Sequence, residues 1–69
     1  MEMIPVSSSN IAAVGYDEDS QTLQIEFNNG TSYQYFDVPV QVFTELRDAG
    51  SPGAYLASNV KGVYRFSRV

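Results

Sequence analysis

The segment Ser51-Pro52-Gly53-Ala54 is the one place in this 69-residue chain where the backbone itself offers chemistry. A helix starting there leaves the amides of Gly53 and Ala54 unpaired at the positive end of the helix dipole, where a phosphate can settle. Ordinary capping explains the same residues without a ligand, because Ser51 accepts a hydrogen bond from the first turn and Pro52 fits the first helical position. Capping is the favoured reading. Lys61, Arg65 and Arg68 would extend a phosphate site if folding gathers them on one side. They are three of the four basic residues, all within the last nine positions and with no acidic neighbour there. Solvated charge along a terminal strand accounts for the same pattern and is preferred.

Tyr33 and Tyr35 carry the second candidate chemistry, since a tyrosine ring can stack on an unpaired base and sheet-based RNA readers turn such rings outward. Which way they point depends on the hairpin that precedes them. A two-residue Asn29-Gly30 turn sets Tyr33 opposite Glu26 and Tyr35 opposite Gln24, on the polar face. A three-residue Asn28-Asn29-Gly30 turn with Gly30 left-handed sets Tyr33 opposite Ile25 and Tyr35 opposite Leu23, in the core. The second register separates apolar from polar residues more cleanly, so both rings are expected inside.

Residue types exclude much else. The chain has no Cys and no His, so thiolate and imidazole chemistry, disulfides and the commonest metal ligand are absent. Ser7, Ser8 and Ser9 have no base to activate them. Asp17, Asp19 and Gln21 alternate like the start of a calcium loop, but Thr22 stands where Gly is needed and Asn28 where Glu is needed. No pair of carboxylates is placed to converge in a cleft. An enzyme, a metal site and a cofactor are therefore not expected. The net charge of −4 disfavours indiscriminate nucleic-acid binding, although a local basic face is compatible with it.

The elements that would position these groups read as strand, strand, strand, helix, helix, strand. Ile11 to Tyr16 forms a first strand after a polar Ser7-to-Asn10 entrance and leaves through Asp17-Glu18-Asp19-Ser20. Thr22 to Phe27 alternates strictly, with Leu23, Ile25 and Phe27 on one face and Thr22, Gln24 and Glu26 on the other. Thr31 to Phe36 returns. Pro39 opens a helix, with Asp37 or Val38 as its cap, whose stripe is Val42, Phe43 and Leu46; Gly50 ends it. A second helix from Ser51 presents Tyr55, Leu56, Asn59 and Val60 inward and stops near Gly62. Val63 to Val69 is the last strand, with Tyr64 and Phe66 on one face and Arg65 on the other, and its pairing is open.

The expected fold is α+β: a small antiparallel sheet, made of a three-stranded meander plus the C-terminal strand, with two short helices on one face. Residues 1–69 form one domain. So short a chain draws only about 3–5 kcal/mol from its core, and the 5 Tyr and 4 Phe compensate by burying large rings. The longest apolar stretch, Ile11 to Tyr16, is far from the ~18–20 residues of a membrane span. Met1, Glu2 and Pro5 do not make a signal peptide, and cytoplasmic residence follows as the expectation.

Ser8-Ser9-Asn10-Ile11, Gly15-Tyr16-Asp17, Tyr33-Gln34-Tyr35, Val38-Pro39, and Ser51 with Gly53, Tyr55, Asn59, Val60 and Tyr64 follow one another in an order that resembles the KTSC domain. That family is named for the C-terminus of certain lysyl-tRNA synthetases and also occurs as small bacterial proteins. The chain departs from the pattern at Pro52 and Leu56, where a basic residue and an aromatic would be expected. The resemblance implies a small non-catalytic binding module, with RNA, tRNA-like in particular, suggested by the synthetase context. The candidate contacts are Ser51, Lys61, Arg65, Arg68, Tyr33 and Tyr35. A protein-interaction or self-association module is the alternative, favoured by the acidic charge and by free strand edges.

Overall fold

The computed structural model describes residues 1–69. Seven elements follow one another: β1 (Met3–Pro5), β2 (Ile11–Asp17), β3 (Thr22–Phe27), β4 (Ser32–Tyr35), α1 (Val40–Asp48), α2 (Pro52–Asn59) and β5 (Phe66–Arg68). The strands form one antiparallel sheet in the order β1-β2-β3-β4-β5. The α+β class holds, and the sheet has one strand more than the sequence suggests. β1 is three residues long and contains Pro5, so it carries no periodicity to read. A sheet edge tolerates a residue without an N–H, and β1 is an edge.

The β3–β4 hairpin adopts the three-residue register. Gly30 is left-handed at φ +89°, and Ile25 faces Tyr33 while Leu23 faces Tyr35. Val14 and Tyr16 of β2 lie opposite Ile25 and Leu23, and an irregularity between Ile11 and Ala13 keeps Ile11 on that same inner face. Ile11, Val14, Leu23, Ile25 and Tyr35 meet Val38, Leu46 of α1, and Leu56 and Val60 of α2 in the buried core. The outer face is polar, with Gln34 donating to Gln24 across 2.9 Å.

Several local readings are corrected. Thr22, assigned to the polar face, is buried where Ser20 folds over it, their hydroxyls hydrogen-bonded at 2.9 Å. Pro39 itself is the N-cap of α1, one residue later than expected, and Val38 is driven into the core instead. The helix stops at Asp48 because Ala49 turns extended, ahead of Gly50. Asn59 faces outward and donates back to Tyr55 O, leaving Leu56 and Val60 as the fully buried anchors of α2. The last strand contracts to three residues, and Tyr64 stays outside it, packed against the core.

Tyrosines bind one helix to the sheet and the two helices to each other. The Tyr16 ring stacks on Phe43 of α1 at 5.4 Å, and its hydroxyl donates to Val38 O. Tyr55 of α2 donates to Glu45 of α1 at 2.6 Å. That bond, then burial, pushes the Tyr55 phenol from 10.0 up to about 12. A folded value above the unfolded one means the contribution is intact below pH 10 and disappears as pH rises through 12. The melting temperature should thus hold level on the neutral side and fall across that alkaline window. Tyr55→Phe should remove part of the fall, measured by circular dichroism. Burial also raises Tyr16 and Tyr35, so some of the fall survives the substitution.

Candidate functional site

The helices leave part of the inner sheet face uncovered. α1 packs against β2 and α2, whereas every residue of β5 is exposed. Between the ends of β3, β4 and β5 and the turn after α2 opens a cleft of about 680 Å³. The same hairpin that buries Tyr35 builds it: the three-residue turn sets Phe27 and Tyr33 as neighbours on one face, and β5 adds Phe66 opposite Tyr35.

The rings grade from closed to open. Tyr35 is 3% exposed and forms the floor, Tyr33 is half-buried, and Phe66 is 59% exposed. Phe27 meets Tyr33 edge-on at 5.8 Å, and Phe66 leans on Tyr33 at 5.7 Å and on Tyr35 at 5.8 Å. Such offset and edge contacts hold the rings against one another while leaving faces free for a flat partner. The Lys61 ammonium lies 5.6 Å from the centre of the Phe27 ring, within cation–π range.

The opposite wall is polar and comes from the loop before β2 and the β3–β4 turn: Ser9, Asn10, Asn28 and Asn29. Asn10 O accepts from Asn28 N at 2.8 Å, and Asn28 Nδ2 donates to Ser9 O at 3.1 Å and Ser8 O at 3.4 Å. This wall is cross-linked over some twenty residues of sequence, so its groups are held in place before any ligand arrives.

Of the residues singled out from the sequence, Tyr33, Tyr35 and Lys61 line the cleft. Arg68 is the cross-strand partner of Tyr33 and leaves the sheet on the same side. Ser51 and Arg65 are elsewhere. Ser51 Oγ accepts from Ala54 N at 3.4 Å, as a capping residue does. Arg65 sits one position before Phe66, hence on the other face, where it pairs with Asp37 at 3.0 Å and covers the Phe36 ring at 5.5 Å. Phe27, Phe66, Asn10 and Asn28 were not singled out. The hairpin register alone would have found Phe27. Phe66 needed the β4–β5 pairing, and the asparagines needed the loop's tertiary position.

A single antiparallel sheet with both helices on one face, and an aromatic cleft beside them, defines a compact α+β sheet domain. The chain belongs to the KTSC domain family, whose pattern it matches over residues 7–64. It is 43% identical to a protein from Tsukamurella paurometabola over 63 residues, which is 91% of this chain and 94% of that one. It is 36% identical over 67 residues to a lysine–tRNA ligase from Nostoc sp., covering 97% of this chain but only 12% of the ligase. The crystal structure of a KTSC domain protein from Yersinia pestis superposes with a TM-score of 0.92 at 35% identity, covering 99% of this chain and 96% of that one. The domain thus occurs nearly alone and as a small part of a much longer lysine–tRNA ligase. No helix is long and apolar enough to cross a membrane.

Proposed function

We propose that this protein is a non-catalytic, cytoplasmic RNA-binding module that holds unpaired RNA in the aromatic cleft. One observation carries the reading. Of the four Lys and Arg side chains, Arg47 and Arg65 are neutralised by Asp48 and Asp37, and of the two without a carboxylate partner, Lys61 lies over the Phe27 ring in the cleft and Arg68 is the cross-strand neighbour of Tyr33. Free cations next to aromatic faces are what single-stranded nucleic acid needs, phosphates going to the charges and bases to the rings. The related segment of a lysine–tRNA ligase supports an RNA context. Strand pairing with a protein is less well served, because the β5 edge has only three residues and carries Arg68, features that blunt an edge.

With a net charge of −4, attraction acts only at close range, so affinity is modest and salt dependence shallow. Two phosphate contacts on a single strand imply a slope near −1.4 in log K against log salt, or roughly sevenfold weaker binding for about a fourfold rise in salt. Fluorescence anisotropy with labelled single-stranded RNA at two salt concentrations measures this. A duplex of the same sequence should bind less well, since its bases are already stacked. Absence of binding at low salt would remove the reading.

A further inference from the structure

We propose that the cleft receives one unstacked nucleobase, set against Tyr33 and Phe66, and that the Asn10 carboxamide reads its hydrogen-bonding edge. This rests on the RNA reading above and goes further, to a single base and to the group that inspects it. The orientation of the Asn10 amide follows from its neighbours. Ser8 Oγ accepts from the backbone N–H of Asn10 and of Ile11, each at 3.3 Å, which occupies both of its lone pairs. Only its O–H remains to be used, and that donates to Asn10 Oδ1 at 3.0 Å. The oxygen of the amide therefore faces Ser8, and Nδ2 is left with no partner in the protein while Asn10 lines the cleft. Asn28 is oriented by the same logic in the opposite sense. Its Nδ2 faces two carbonyls, which can only accept, and Oδ1 is left free. Among the residues lining the cleft the wall thus carries one amide donor and one amide oxygen of assigned sense, both without a partner in the protein. A flat heterocycle with its own acceptor and donor along one edge satisfies both, and a phenyl or alkyl group satisfies neither.

Gly53 supports this assignment from the side of the fold. It is the second residue of α2, where alanine is the better helix former. Yet a Cβ there would stand 2.6 Å from Asn10 Oδ1. The missing side chain leaves the room that the Asn10 amide occupies beside the helix. Because the obstructing atom ends a side chain rather than belonging to backbone, an alanine at 53 would swing the amide away and leave the helix intact.

The test uses single-stranded RNA homopolymers of the four bases and a matching abasic oligomer, titrated at low salt into the wild-type protein, Asn10→Ala and Gly53→Ala. Wild type is expected to bind the abasic oligomer about tenfold or more weakly than the best homopolymer, and to separate best from worst homopolymer by about tenfold. Both Asn10→Ala and Gly53→Ala should compress that separation to within about twofold, with Gly53→Ala melting no lower than wild type. Should no oligomer bind, the RNA reading itself fails. If homopolymers bind but the abasic oligomer binds equally, RNA is held by its backbone alone and the base site is wrong. If the base matters but both variants discriminate as wild type does, Asn10 is not the reader and the proposal is overturned.

Discussion

Leu56→Ala should leave much of the protein unfolded at room temperature. Leu56 is fully buried and is, with Val60, what ties α2 and the following turn to the sheet. Removing a buried leucine side chain costs about 2–5 kcal/mol, because burial energy is lost and the surrounding atoms close the hole only partly. A domain of this length has about 3–5 kcal/mol in total, so the loss is comparable to the whole stability. Nothing else compensates, since no disulfide is present and the two ion pairs are exposed. Urea titration followed by circular dichroism reads the effect as a midpoint near zero denaturant. A midpoint within measurement error of wild type would mean that α2 is not part of the cooperative unit. If the midpoint falls as expected, RNA binding should fall with the folded fraction, because the turn after α2 that brings Lys61 to the cleft is lost with it.

The second large effect concerns charge. Lys61→Glu and Arg68→Glu should each weaken single-stranded RNA binding by about tenfold at low salt, and together abolish measurable binding. Arg65→Glu introduces the same change in charge three or four residues away along the chain, but on the opposite face and at a guanidinium already paired with Asp37. It should reduce affinity far less. The comparison separates contact at the cleft from the general field of the molecule, which all three variants alter alike. Equal losses in the three would show that the cleft is not where phosphate is held. None of the three should shift the melting temperature greatly, since exposed pairs contribute about 0–1 kcal/mol.

The legible parts of the fold were those whose determinants lie close together in sequence. The alternation from Thr22 to Phe27 and the Asn28-Asn29-Gly30 turn were enough to place Ile25 against Tyr33 and Leu23 against Tyr35, because a glycine free to take positive φ sets the turn length and the turn length sets the register. Ser51 and Pro52 marked the start of α2 for the same local reason. Thr22 and Asn59 were misread because alternation and helical spacing assume regular neighbours. Neither sees a Ser20 hydroxyl folding over a strand end or an asparagine turning back to its own helix.

The candidate site was legible only in pieces. Tyr33, Tyr35 and Lys61 could be named, but not that they share a cleft, nor that Arg65 is excluded from it. What the chain states by itself is the content of its elements: which residues alternate, where a turn must bend, which cap begins a helix, and that no thiol or imidazole chemistry is available. What folding alone decides is which distant elements become neighbours. Asn10 meets Asn28 and Gly53, and β5 returns to β4 across two helices. Those meetings are settled by burial of the shared core, an interaction without direction and summed over many side chains, so no short stretch of sequence encodes them.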